Sequence, residues 1–599
     1  MAGAYGSWRD RAKAGAPRGV VLDPGRNVVP GFEAFPTAYA PGHLLIFGDR
    51  TDSESALLDA AHELGWDLEL DALRPGGADS GQEELWRATI IQLPSPTRDD
   101  EPVPPVDAWR LLQHARRLEI EKDQIAARTA VTGRGLAEGP DQSSVRDEVR
   151  RKIAVEAANQ REDFASRRRP VESRGPVDRG ALAPRLRNVS LDHVLTVDPI
   201  GLNPHSITNP HSITNPHSIT NPHSITNPSG TDGYAYPGNG GLEVVSYVGA
   251  APTRTLEVAA GGRRPVVAVI DTGCGVHPWL PPYPAVKVGD VVVLEKNDEP
   301  IVRRGLPSPT VAGTEIGIDD PSTDPEVHGD QSGPLDGYLD AAAGHGTFVC
   351  GIVRQVAPEA DIIAIRVADS NGTALENELI DALEELAAWV EADSEKDPHK
   401  LDVVNLSLGY YHETPEDGQY SDRLYKALVR LRAKGCAIVC SAGNDATERP
   451  AFPAALWEGG DPDLGLDDAE GLARHLAVGA LNPQGTSAAL FSNVGPWVTH
   501  FAPGTSIVST FPRFQGGVQA GSRADSDDRF RESLDPDDHS GGFAIWSGSS
   551  FAAPYVSGVI ARALSPVLMA PGRQGITAES EVEGALRKLL DADRSRKSK

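Results

Sequence analysis

Cysteine, methionine and long apolar runs are what this chain has least of. Its 599 residues include four cysteines and two methionines. The cysteines are Cys274, Cys350, Cys436 and Cys440, all in the second half. A disulfide-stapled scaffold needs more of them and a secreted setting. Each lies in an apolar context, so buried, reduced thiols are expected. Cys436 and Cys440 fall in one run that reads as a strand, too far apart along it to be bridged, and their spacing matches no zinc motif. No stretch reaches the roughly 18 apolar residues of a membrane span. The N-terminal MAGAYGSWRDRAKAGAPRG carries basic side chains but no apolar run of signal-peptide length. The expectation is a cytoplasmic protein with no membrane partner. Positive charge is also in deficit, with 57 Lys and Arg against 85 Asp and Glu, net -28. Such a surface repels nucleic-acid phosphates and anionic lipid, so no nucleic-acid partner is expected. Solubility is explanation enough for the excess.

What is present is a chain long enough for two to four domains. Residues 1–40, rich in Gly, Pro and Ala, read as an irregular segment. Residues 41–200 read as a small domain. GHLLIFGD is a strand, SESALLDAAHELGWDL has helical periodicity, DLELDAL and LWRATIIQLP are strands, and VDAWRLLQHARRLEI is a second helix. NVSLDHVLTVDP at 188–199 supplies the last strand of a ferredoxin-like β-α-β-β-α-β order. The charged stretch before it, with RDEVRRKIAVEAANQREDFASRRR, reads as a solvated helical insertion. Residues 201–240 form a linker in which NPHSIT occurs four times, from Asn203 to Thr226. Asn-Pro blocks a helix. His205, His211, His217 and His223 recur at the repeat period; a metal-binding ladder or a short β-helix is conceivable, but a variable spacer is the simpler reading.

From 241 to 575 the pattern changes. RPVVAVID, GDVVVLE, ADIIAIRV, LDVVNLSLG, CAIVCSAGN and RHLAVGA are short, nearly continuous apolar runs. Such runs suit parallel strands covered on both faces. Helical segments over about 346–356, 374–393 and 420–434 lie between them, which indicates an α/β domain with a mainly parallel sheet. Residues 576–599 read as a C-terminal helix and tail outside that core.

Four segments carry chemistry. Asp271 ends a strand in VVAVIDTGCG, and His345 stands between glycines at a helix start in GHGTFVCGIV. Asn444 follows a strand in IVCSAGND, and Ser550 precedes a helix in SGSSFAAPYVSG. A serine hydroxyl needs a base, a group orienting the base, and donors for an oxyanion. Singly, each residue is ordinary: an Asp or Asn after a strand caps a helix or turn, and Gly-Ser-Ser is common in loops. Their combination and order are specific.

These motifs resemble those of the subtilisin-like serine proteases, the subtilases. DTG at 271–273, HGTFVCG at 345–351, AGN at 442–444 and GSSFAAPYVSG at 548–558 carry the likeness. NLSLG at 405–409 and FSNVGPWVTHFAPG at 491–504 extend it. The likeness covers about 260 to 570. It implies a three-layer α/β/α domain and a catalytic triad of Asp271, His345 and Ser550, with Asn444 as oxyanion donor. It also implies substrate contacts at Ser407, Leu408 and Gly409, and a pocket wall at Ser441, Ala442 and Gly443. The sequence departs from the family's pattern at Ser549, Phe551, Tyr555 and Cys274 without removing a catalytic group. No cofactor is required. Calcium is frequent in the family, and the acidic insertions EIGIDDPSTDPEVHGDQSGPLDG and FQGGVQAGSRADSDDRFRESLDPDDHS offer oxygen ligands. Neither has ligand spacing, so solvated loops are expected. The implied partners are a protein or peptide substrate and the chain's own N-terminal domain, either as an inhibitory propeptide or as a permanent regulatory module. A catalytically silent scaffold is the alternative.

Overall fold

A computed structural model of the chain describes residues 18–30, 34–74, 84–93, 103–132, 148–158, 183–197, 242–282, 300–332, 339–393, 399–413, 421–457, 471–514 and 538–570, with a few shorter pieces. The chain divides into two units. Arg18–Val194 and His412–Asp422 form the smaller, and the larger holds the rest. The NPHSIT repeats, the GDVVVLE run and the C-terminal helix expected from the sequence lie outside the described residues.

In the smaller unit β1 (Ala38–Phe47), α1 (Thr51–Glu63), β2 (Trp66–Arg74), β3 (Leu85–Gln92), α2 (Ala108–Thr132) and β4 (Val189–Val197) follow in that order, the last residues of β4, from Leu195, belonging to the larger unit. The strands pair antiparallel in the spatial order β4-β1-β3-β2. Apolar residues three and four apart on the helices, among them Leu57, Ala60, Ala61, Leu111, Leu112 and Ala115, cover Leu44, Ile46, Ala88 and Leu191 of the sheet. The insertion is less solvated than its charge suggests. Residues 148–158 are helical, and Val149 and Ile153, one turn apart, enter the same core. His193 on β4 bonds Glu413 Oε2 at 2.6 Å, and His412 Nδ1 lies 3.7 Å from the same oxygen. Among the described residues these three form the one cluster of His, Cys, Asp or Glu with ligand atoms within reach of a shared cation. The His193 contact is hydrogen-bond length, closer than two zinc ligands stand at about 2.0 Å each from the metal. The cluster reads as a buried ion pair.

The larger unit is built on seven parallel strands. They are β5 (Val266–Asp271), β6 (Val302–Arg304), β7 (Asp361–Arg366), β9 (Val403–Leu406), β11 (Ala437–Ser441), β12 (His475–Leu481) and β13 (His500–Pro503). Their spatial order is β13-β12-β11-β9-β5-β7-β6. Short strands β8 (Thr373–Leu375) and β10 (Leu408–Gly409) lie outside this sheet. Alternate strand residues face opposite layers. Val267, Val269, Ile362, Ala364 and Val439 pack with α3 (His345–Val356) and α6 (Ser549–Leu568). Ala268, Ile270, Ile363, Val404 and Ile438 pack with α4 (Glu376–Glu391) and α5 (Ser421–Ala433). This is the α/β domain with a parallel sheet expected from the apolar runs, in the three-layer arrangement that the family resemblance implies. Strands β6 and β13, of three and four residues, were too short to be read from the sequence. Among the described residues, α6 alone is long and apolar enough to cross a membrane, and most of it is buried in this core. All four cysteines are buried and free.

Candidate active site

Strand order reverses around β5: the chain moves to β7 on one side, then returns to β9 on the other. Crevices form at the carboxyl ends of strands at such a switch point. Asp271 is the last residue of β5, Ser407 follows β9, and Asn444 follows β11. His345 opens α3 and Ser550 is the second residue of α6. Asp271, His345 and Ser550 are fully buried.

Asp271 Oδ1 accepts from His345 Nδ1 at 2.8 Å and from the Thr272 N–H at 2.7 Å. The same histidine ring lies against Trp546 and Phe551, with centroids 5.7 and 5.3 Å away. Phe551, a departure from the family pattern, thus forms the apolar backing of the imidazole. Gly346 is required by closeness, because a Cβ there would stand 2.1 Å from the Gly273 carbonyl oxygen. The Asp and His motifs therefore meet backbone to backbone.

Ser550 occupies the first turn of α6, where backbone N–H groups have no helical acceptor. Its carbonyl is also freed, because Pro554 four residues on has no N–H to donate. Ser407 Oγ donates to that carbonyl at 2.8 Å. Ser407 Oγ in turn accepts from Asn405 Nδ2 at 2.9 Å, and Ser557 Oγ bonds Asn405 Oδ1 at 3.0 Å. A buried polar chain thus ties the cleft strand to the serine helix. Ser550 Oγ lies 3.4 Å from the Ser407 carbonyl. His345 Nε2 has no hydrogen-bond partner among the described residues. The structure brings Asp271 and His345 into contact but leaves the Ser550–His345 bond unmade.

Asn444 Oδ1 accepts the Ser549 N–H at 2.8 Å, and Ser549 Oγ accepts the Gly443 N–H at 3.1 Å. Ser549, where the family favours Thr, keeps the hydroxyl that this bond needs. Gly443 has φ +100°, and a Cβ there would meet Asn493 Nδ2 at 2.4 Å. Asn493 Nδ2 donates to the Ala442 carbonyl at 2.8 Å and to Tyr411 Oη at 2.7 Å. Asn493 and Tyr411 were not singled out in the sequence, yet they hold the Ser441–Gly443 wall in place.

One residue of the first acidic insertion contradicts the expectation of a solvated loop. Glu326 is buried, with Oε1 accepting from Thr272 Oγ1 and Oε2 from Thr347 Oγ1, both at 2.5 Å. The Gly346 and Thr347 N–H groups also point to it, at 3.1 and 3.3 Å. These are unpaired donors of the first turn of α3, which explains why a carboxylate settles there. Burial pushes Glu326 up to about 7, against the lowering effect of the threonine hydrogen bonds.

Comparison with known proteins fits this geometry. The Subtilase family model matches residues 262–584. The chain belongs to the subtilase family. This subtilase is 25% identical over 314 residues to an intracellular serine protease of Paenibacillus polymyxa, covering 50% of this chain and 66% of that one. It is 27% identical over 272 residues to subtilisin NAT of Bacillus subtilis subsp. natto, covering 43% and 55%. With subtilisin-like protease 3 of Pseudogymnoascus destructans it shares 30% over 224 residues, covering 36% and 42%. The chain thus spans less than two thirds of the length of each of these relatives. A crystal structure of a cold adapted subtilisin-like serine proteinase aligns at 20% identity and a TM-score of 0.28, over 55% of this chain and 86% of that one.

Proposed function

We propose that this subtilase is a serine endopeptidase in which Ser550 is the nucleophile, His345 the general base and acid, and Asp271 the group that orients and stabilises the imidazolium. The observation that carries the reading is the meeting of the Asp271–His345 pair, the α6 N-terminus and Asn444 at the sheet's switch point. Ser550 Oγ attacks the scissile carbonyl as His345 Nε2 takes its proton, and His345 returns that proton to the leaving amine. The Ser550 N–H and the Asn444 side-chain amide receive the oxyanion. An acyl-enzyme forms, and water releases it.

Substrate binds as an added strand along Ser407, Leu408 and Gly409, with Ser441, Ala442 and Gly443 as the facing wall. Supporting this, the last residues of β4 already lie there. Val197 pairs antiparallel with Leu408 and Thr196 with Gly409, the Val197 N–H reaches the Gly372 carbonyl at 2.8 Å, and β8 flanks the other side. We read this segment as a substrate mimic through which the N-terminal region restrains the enzyme, cut just beyond Val197. Buried thiols and the name of the Paenibacillus relative support an enzyme that works inside the cell on a dedicated protein target. A serine-directed fluorophosphonate probe tests the core of this reading. It is expected to label Ser550, with casein cleaved in parallel, and to leave Ser550→Ala unlabelled. A folded wild type that is neither labelled nor active would favour the silent scaffold.

A further inference from the structure

The buried carboxylate of Glu326 has no part in the triad chemistry above. It lies one hydroxyl away from that chemistry. Thr272 Oγ1 is 2.5 Å from Glu326 Oε1 and 3.2 Å from Asp271 Oδ1, while it accepts the Gly346 N–H at 2.8 Å. One hydroxyl carries one proton, so Thr272 donates to a single carboxylate at a time. The shorter contact assigns that proton to Glu326. Asp271 Oδ1 then serves the Thr272 N–H and His345 Nδ1 alone.

We propose that Glu326 is a positioning residue for the Asp271–His345 pair, acting through the Thr272 hydroxyl, so that turnover rises as Glu326 loses its proton. The inference rests on the triad reading above. A proton on Glu326 Oε1 donates to Thr272 Oγ1 and turns the Thr272 proton onto Asp271 Oδ1. No bond to carbon changes; one proton is gained from solvent and one hydroxyl rotates. Asp271 then shares its charge with a further donor and holds the imidazolium less well. The ionised form does the reverse, and its negative charge further favours the cation that forms during attack.

The setting suits such a group. Asp271 faces it from β5, Arg366 from the end of β7, Cys350 from α3, Cys274 from the turn after β5, and Asp324 from its own loop. Burial, the largest influence, places its ionisation at about 7, inside the working range of a histidine base. The sign follows directly. Below that pH Glu326 is neutral and the pair is weakened; above it the carboxylate is charged and the pair is set.

The test compares full-length wild type, Glu326→Gln, Thr272→Val and Thr272→Ser. It reads fluorophosphonate labelling rates and hydrolysis of a chromogenic aromatic peptide anilide against pH. Gln is neutral and donates to Thr272 as the protonated acid does. Glu326→Gln is expected to lower kcat roughly tenfold above neutrality with KM nearly unchanged, and to remove one ionisation from the acid limb of kcat/KM. Thr272→Val, which keeps the volume and loses the hydroxyl, should lose the same ionisation, and Thr272→Ser should keep it. If Glu326→Gln lowers the rate equally at every pH, the residue is only structural and the proposal fails. An unchanged profile in Thr272→Val with Glu326 intact also overturns it. A wild type never labelled at Ser550 removes the triad reading itself, and this inference with it.

Discussion

Asn444 commits its carbonyl oxygen to the Ser549 N–H at 2.8 Å, and that bond fixes which way its amide faces. On the proposed reading, Asn444→Ala removes one oxyanion donor. It is expected to lower kcat by about 100- to 1,000-fold while KM moves little, measured on a peptide anilide. Asn444, Asp271, His345 and Ser550 were legible because each lies in a short motif whose local backbone does the placing. Glu326 was not, and for Asn493 the FSNVGPWVTHFAPG stretch was noted without its partner. Glu326 meets Thr272 across 54 positions and Asn493 meets Ala442 across 51, so no local spacing marks either. Glu326 was also hidden by its neighbours, since Asp319, Asp320 and Asp324 made the insertion read as solvent-facing. Its burial follows from the donors at the start of α3, which only the fold reveals.

Among the elements, strands and helices of the larger unit followed their apolar periods closely. The helix expected at 374–393 is Glu376–Glu391, and the one at 420–434 is Ser421–Ala433. The smaller unit's strand and helix order was equally plain, but its closing contact was not, because His193 and Glu413 are 220 positions apart. Burial alone would raise Glu413, yet the charges of His412 and His193 and the hydrogen bond from His193 outweigh it and hold the carboxyl well below its ordinary range. A carboxylate lowered in this way adds stability above its unfolded value of 4.5, lost as pH falls through the folded value. Glu413→Gln is therefore expected to destabilise the fold by roughly 3 kcal/mol near neutrality. The gap from wild type should narrow in acid, as read by urea unfolding at a series of pH values. A constant gap would mean the carboxylate charge contributes nothing.

For the whole molecule, the proposed catalytic residues and the segment proposed as a substrate mimic belong to one chain. Thr196 and Val197 pair antiparallel with Gly409 and Leu408, and Asp271, His345 and Ser550 are all buried. The sequence offered the N-terminal domain either as an inhibitory propeptide, on its fold order alone, or as a permanent regulatory module. The pairing with Leu408 and Gly409 is a register between distant strands, which no periodicity encodes. The most direct test of the account is the intact mass of the full-length chain followed over time beside its Ser550→Ala variant. The account predicts that the wild type loses a fragment ending between Val197 and residue 240, and that the variant stays whole. Identical masses for the two proteins at every time, whether both whole or both shortened, would contradict it.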